Sequence, residues 1–261
     1  MCLPLKKKLQ SIINSLPAIV AIIMLIGLWH YLSACNVVPS YMLPKPMDVL
    51  NALIEEREIL FSHALVSLQE AFYGLGIGIF IAFIMATIMD ECSYLYKAIY
   101  PIMVITQTIP TIAIAPLLVL WMGFGMEPKI TLVVLTTFFP IAVGLLDGYK
   151  NVDVDSINLL RSMGAGKIKI FWHVKLPNAM SYFFSGLKIS ASYAIVGAVI
   201  SEWLGGFEGL GVYMTRVKKA YAFDRMFAVI IVIIVISLLL MKLVNVLRKL
   251  VMPWESKVEN K

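Results

Sequence analysis

Six runs of roughly 20 apolar residues constrain this chain more than any other feature, because each is long enough to cross a hydrocarbon core about 30 Å thick. They fall at approximately 17–35, 68–89, 98–122, 129–148, 180–202 and 225–246. With 60% hydrophobic and 15% charged residues, the chain lies outside the range of soluble domains and reads as an all-α integral membrane protein. The net charge of +6 does not point to nucleic acid. The cations sit at the ends of apolar runs, and no basic stripe with interleaved aromatics appears.

An even number of spans places both termini on one side. That side holds Lys6, Lys7, Lys8, Lys97, Lys150, Arg161, Lys167, Lys169, Lys175, Lys242, Arg248, Lys249, Lys257 and Lys261. The other holds the smaller set Lys45, Arg57, Lys129, Arg216, Lys218, Lys219 and Arg225, leaving Lys188 inside the fifth span. The richer side is expected to be cytoplasmic. The organisation that follows is a cytoplasmic N-terminus at 1–16, a membrane domain at 17–246 with a cytoplasmic loop at 150–179, and a cytoplasmic tail at 247–261.

Cys2, Cys35 and Cys92 are far apart and lack metal or redox spacing. Leu32-Ser-Ala-Cys35 mimics a lipoprotein cleavage box. The uncharged stretch from Leu9 to Cys35 is longer than a signal core and carries Trp29, His30 and Tyr31 near the cut, so a first membrane helix is expected instead.

The second span carries Gly74, Gly78, Ala82 and Ala86 every fourth residue, a smooth stripe suited to close helix packing. The third contains Pro101, Pro110 and Pro116, which remove backbone donors and should break or kink it. Thr106, Gln107, Thr108 and Thr111 surround Pro110, so this bent polar piece either lines a pathway or serves packing alone. The outer loop at 36–67 begins with Pro39, Pro44 and Pro46 and continues as an amphipathic, Glu-rich stretch from Val49 to Leu60. It is either a solvated connector or a docking surface.

The cytoplasmic loop carries the most specific signal. Gly166-Lys167 does not form a phosphate-binding loop, because Arg161 and Ile168 stand where that motif needs Gly and Ser or Thr. No Ser/His/Asp or metal-ligand cluster appears, and His30, His63 and His173 read as surface or interfacial residues. Two short helical pieces are expected around Gly164 and Gly166, ending at Pro177 where the next membrane helix starts. Ile168, Ile170, Phe171 and Trp172 among the basic residues require a groove to cover them.

This stretch resembles the cytoplasmic loop of binding-protein-dependent ABC importer permeases, whose pattern is E-A-A, three residues, G, nine residues, I-x-L-P. Gly164 and Val174-Lys175-Leu176-Pro177 match in register, while Asn158, Leu159 and Leu160 replace E-A-A. Further matching stretches are Met42-Leu-Pro-Lys-Pro46, Ile109-Pro110, Pro116-Leu117, Leu120-Trp-Met-Gly123 and Gly186-Leu187-Lys188 through Ser201-Glu202. Together they resemble the nitrate, sulfonate and taurine branch from Met42 to about Ala228; Glu70 stands where that branch has a basic residue. The resemblance implies a six-helix type I importer permease in a bacterial inner membrane, with both termini cytoplasmic. It also implies a homodimer, a separate ATPase subunit carrying ATP and Mg, an extracytoplasmic solute-binding protein, and no cofactor or catalysis on this chain.

The coupling loop would then comprise Asn158, Leu160, Arg161, Gly164, Ala165, Gly166, Lys167, Phe171, Trp172, Leu176 and Pro177. Pathway candidates are Thr106, Gln107, Thr108 and Pro110 with Ser190, Tyr193 and Glu202 of the fifth span. Asp147 and Lys188 lie near inner span ends and Glu70 and Glu202 near outer ones, unlike a proton-coupled carrier, which keeps ionisable groups midway. A secondary carrier or channel is the remote alternative. Ser201-Glu-Trp-Leu-Gly-Gly and Gly209-Leu-Gly-Val-Tyr-Met-Thr-Arg216 resemble permeases for thiamine-precursor pyrimidines, with riboflavin, sulfonate, taurine and nitrate as further candidates.

Overall fold

In a computed structural model of the chain, residues 3–35, 37–39 and 41–253 are described, with side chains from residue 16 onward; Cys2, Lys257 and Lys261 lie outside this set, as do the side chains of Lys6, Lys7 and Lys8. Among the described residues five helices are long and apolar enough to cross a membrane, and a sharply bent helix pair makes six if it is counted as one span.

Helix α1 (Leu3–Ala34) ends directly before Cys35. It is peripheral, tied down near its end by Trp29 Nε1 donating to the Pro44 carbonyl (2.9 Å), Ser33 Oγ donating to that of Leu43 (2.9 Å), and Trp29 stacking on Phe227. The outer amphipathic stretch is divided rather than continuous. Helix α2 (Pro46–Glu55) starts with proline in its first turn, where a missing N–H costs nothing, and α3 (Arg57–Glu91) begins beyond Glu56. Helix α2 lies on the last helix, residues 223–251, and Arg57 and Leu60 at the start of α3 line a groove with Val232 and Ile236 of that same helix.

The third run is not one straight crossing. Helix α4 (Ser93–Thr108) and helix α5 (Thr111–Met122) meet at a bend of 100°. Pro110 has no N–H to continue the ladder, and it pushes Ile109 to an extended conformation (φ −78°, ψ 123°). Pro101 and Pro116 sit inside their helices without ending them.

Helix α6 (Glu127–Lys150) is the centre of the bundle. Three close approaches, Glu70 to Lys129, Gly74 to Val133 and Gly78 to Thr137, advance one turn on both helices together, so α3 and α6 run parallel. The small-residue stripe of α3 is therefore a packing seam, with Ala82 and Ala86 fully buried. Helix α9 (Leu176–Leu204) runs antiparallel to α6. Gly148 lies on Ala179, Gly144 on the Tyr182 carbonyl, Gly186 on the Pro140 carbonyl and Gly197 on Thr136, an unbroken run of backbone-close contacts. Ser190 Oγ donates to the Thr137 carbonyl (2.7 Å) within the same seam.

Three short helices fill the ends. Val154–Ser162 (α7) and Lys167–Ile170 (α8) form the loop between α6 and α9, and Leu210–Lys219 (α10), which the sequence reading does not anticipate, precedes α11 (Phe223–Val251).

Candidate functional site

The loop at 150–179 is a stiff hairpin of two helical arms. Asp153 caps the first arm: its carboxylate accepts from the amides of Asp155 (3.1 Å) and Ser156 (3.2 Å) and from Ser156 Oγ (2.8 Å). The Ser156 hydroxyl and these amides hold the Asp153 carboxyl below its ordinary range. Its folded value lies below its unfolded one, so the cap is complete above the unfolded value and is lost as pH falls through the folded one. Asp153→Ala is expected to remove it even at neutral pH, speeding hydrogen exchange at residues 154–157. Unchanged exchange there would show that the cap does not hold α7.

The first arm ends at Gly164, whose φ of +80° favours glycine. Ala165 N donates to the Leu160 carbonyl and Gly164 N to that of Arg161 (both 2.9 Å), the paired bonds of a Schellman ending. A Cβ at Gly164 or Gly166 would meet nothing within 4 Å, so neither glycine is demanded by crowding inside this protomer.

The second arm is not a separate piece that stops at Pro177. Helix α8, a π turn (Phe171–Lys175) and α9 form one continuous helical path. Pro177 cannot donate to the carbonyl four residues back, and the Leu176 amide reaches instead to the Phe171 carbonyl, which widens the turn. The arm is fastened to the bundle by Lys175 Nζ on Asp90 Oδ2 (2.6 Å), by Asn178 Nδ2 donating to the Gly148 carbonyl (2.9 Å), and by Phe171 against Tyr149.

Of the four apolar residues expected to need a groove, Ile170 and half-buried Phe171 are covered by the protomer itself. Ile168 and Trp172 remain 76% and 59% exposed, and on the other arm Leu159 and Met163 are 62% and 78% exposed. Each pair is spaced i, i+4, so each arm shows one apolar ridge. Exposed Asn158, Arg161 and Lys167 stand around the ridges; Leu160, Ala165, Leu176 and Pro177 are half-buried behind them. Leu159, Leu160, His173, Val174 and Pro177 also line a cavity of about 440 Å3 between the arms.

The pathway candidates separate into two groups. Thr106, Gln107, Thr108 and Pro110 lie exposed at the α4–α5 corner, with Gln107 Nε2 donating to the Leu135 carbonyl (3.3 Å), and Tyr193 is exposed on α9. Ser190 and Glu202 are buried inside the protomer.

Glu202 belongs to a network at the opposite end of the bundle from the loop. Three successive amides at the start of α10 are each met by a side chain: Gly209 N donates to His63 Nδ1 (3.0 Å), Leu210 N to Ser67 Oγ (2.9 Å) and Gly211 N to Glu202 Oε2 (2.5 Å). Ser67 Oγ donates in turn to Glu202 Oε1 (2.6 Å). A carboxylate at a helix N-terminus is favourably placed. Gly209 has φ +120°, and a Cβ there would collide with the Glu202 carboxylate. Beside Glu202, Lys129 Nζ bonds Glu70 Oε1 at 2.6 Å, with side chains 6% and 0% exposed.

Residues 74–256 match the family described as the binding-protein-dependent transport system inner membrane component. The chain belongs to this family. It is 36% identical over 216 residues to a probable ABC transporter permease protein of Haemophilus influenzae, covering 83% of this chain and 88% of that one. It is 33% identical to the formylaminopyrimidine transport permease protein ThiX of Halalkalibacterium halodurans, over 90% of this chain and 94% of the relative. The taurine transport system permease protein TauC of Escherichia coli is 27% identical, over 90% and 88%. A crystal structure of an amino acid ABC transporter shares the fold, with a TM-score of 0.63 at 14% identity, over 76% of this chain and 96% of that chain. The protein is thus a multi-pass ABC transporter permease with the type I fold expected from the resemblance.

Two features of this permease escape sequence reading. His63 is buried and accepts a backbone bond instead of lying at the surface, and Lys129, counted only among the outer-side cations at the start of the fourth span, is buried and paired with Glu70. His63, Ser67 and Glu70 are spaced i, i+4, i+7, a legible sign that one face of α3 is polar. Their partners lie on α6, α9 and α10, and nothing local in the sequence names them.

Proposed function

We propose that this permease is the membrane subunit of an ATP-driven importer, and that the arms at 150–179 dock on a separate ATPase subunit that holds ATP and Mg. The observation that carries the proposal is the pair of apolar ridges, Leu159 with Met163 and Ile168 with Trp172, exposed at the tip of a hairpin fastened to the bundle. An apolar patch rimmed by Arg161 and Lys167 fits an interaction site. Because α8 leads without a break into α9, a shift of the docked arm tilts a membrane helix directly.

Both termini lie in the cytoplasm of a bacterial cell, and a solute-binding protein delivers the ligand at the far end. Two copies form the pathway, each presenting the α4–α5 corner with Thr106, Gln107, Thr108 and Pro110 and the exposed α9 face around Tyr193. Ser190 and Glu202 act on it only through their neighbours. The solute is a hydroxymethylpyrimidine-type thiamine precursor. In support, the relative named for formylaminopyrimidine is 33% identical, against 27% for the one named for taurine. The Ser201–Arg216 stretch contributes less support, because Glu202, Gly209 and Gly211 serve the α9–α10 corner.

The test is a thermal-shift screen of the partner binding protein against pyrimidines, flavins, sulfonates, taurine and nitrate, followed by uptake into vesicles. A shift with pyrimidines and ATP-dependent uptake are expected. A shift with another class replaces the solute, and uptake that survives removal of the ATPase overturns the importer reading in favour of a secondary carrier.

A further inference from the structure

The second arm of the loop is joined to α3 as well as to α9, although the chain does not connect it to α3. Both ends of the π turn meet the loop end of α3. Lys175 Nζ lies 2.6 Å from Asp90 Oδ2, with side chains 22% and 11% exposed. Phe171 packs on Tyr149, whose hydroxyl is 3.3 Å from Thr87 Oγ1. Thr87 and Asp90 stand i, i+3 on one face of α3, so the two links act side by side. The neighbouring pair of Lys167 and Glu91 is longer (3.5 Å), with side chains 85% and 45% exposed, and it holds the arm weakly. From Asp90, α3 runs back to Arg57 as one helix without proline. Its stretch from Asp90 to Ser67 rises roughly 35 Å. At the far end His63 and Ser67 hold the amides of Gly209 and Leu210, and Ser67 also holds Glu202. A single helix thus has the arm at one end and the α9–α10 corner at the other.

We infer that Asp90 is a positioning residue for transport: through Lys175 it makes α3 a second lever, which carries movement of the docked arm to the start of α10. The inference rests on the docking of the ATPase proposed above. A carboxylate and an ammonium sheltered from water resist being drawn apart, so the loop end of α3 follows the arm when the arm shifts. Helix α3 also lies on α6, but in this half of the seam the contact is made by the small, fully buried Ala82 and Ala86. A flat face of that kind lets packed helices slide past each other, and the ion pair is what opposes the slip.

The test is hydrogen exchange mass spectrometry of the full permease–ATPase complex with and without ATP and vanadate. In the wild type, trapping with ATP and vanadate is expected to change exchange at residues 209–211 at least about fivefold, the lower end of typical coupling between sites. Asp90→Asn should abolish that change while the ATPase still protects residues 159–168. Asp90→Glu should restore part of it, and Asp90→Lys/Lys175→Asp, which reverses the pair, should restore most of it. A merely structural role for Asp90 would lower the melting temperature of Asp90→Asn and leave the response at 209–211 intact. An intact response in Asp90→Asn overturns the inference, because the α3–α6 seam would then carry the movement alone. So does a wild type whose residues 209–211 ignore ATP while 159–168 are protected. If the ATPase leaves 159–168 unprotected even in the wild type, the docking reading falls first and the lever falls with it.

Discussion

Lys129→Met is expected to destabilise the protein by about 3–5 kcal/mol, because it strands the fully buried Glu70 carboxylate without its cation. One Glu70 oxygen already finds no donor among the described residues, and the Glu202 carboxyl lies beside it, so no neighbour can take over the role of the ammonium. The double variant Glu70→Leu/Lys129→Leu should recover most of the loss, since it removes both charges from a buried site. Thermal unfolding in detergent measures both. If the single and double variants melt alike, the pair contributes nothing and the cost belongs to packing. Glu70 thus depends on a cation supplied by α6 rather than by its own helix.

The second large effect is expected at Gly164, and it is read in coupling. Gly164→Asp should leave the protein folded while lowering solute-stimulated ATP hydrolysis at least about tenfold, because a carboxylate would be buried unpaired against the docked ATPase. The left-handed conformation (φ +80°) complicates any substitution, but Asn and Asp tolerate it better than Ala, and open space surrounds the position in the protomer. A purely conformational role therefore predicts that Ala is the worst of the three and that Asn and Asp are mild. A docked role predicts that Asp is worst and that co-purification of the ATPase falls with it. Wild-type hydrolysis and co-purification in Gly164→Asp would remove Gly164 from the interface.

How much of this was legible in the sequence depended on the range of the interaction. The apolar runs mark the crossings because hydrocarbon demands uninterrupted apolar length, and the Gly74–Ala86 stripe identifies a seam because small residues at one-turn spacing leave a flat face. The break at Pro110 follows from a missing N–H. What the sequence did not disclose was which of three prolines would break its helix, since Pro101 and Pro116 are carried inside helices by the same local chemistry. Helix α10 was missed because its start is stabilised by His63, Ser67 and Glu202 from other helices rather than by a cap of its own. The candidate loop was legible to the residue at Gly164, whereas the continuity of α8 with α9 was hidden by Pro177, which reads as a helix start yet sits within a continuous helical path.

The corner between α4 and α5 also bears on how the protein matures. At Ile109–Pro110 the backbone leaves the helix, and among the described residues the first turn of α5 has no side-chain cap: the Ala113 amide donates to the Pro110 carbonyl (2.9 Å), while the Thr111 and Ile112 amides find no partner beside exposed Thr108. Bare amides facing acyl chains carry a cost of several kcal/mol each, and irregular backbone at membrane depth persists only against protein or water. In the proposed homodimer a second copy would cover this corner, so that assembly, rather than translocation of the last helix, would complete folding.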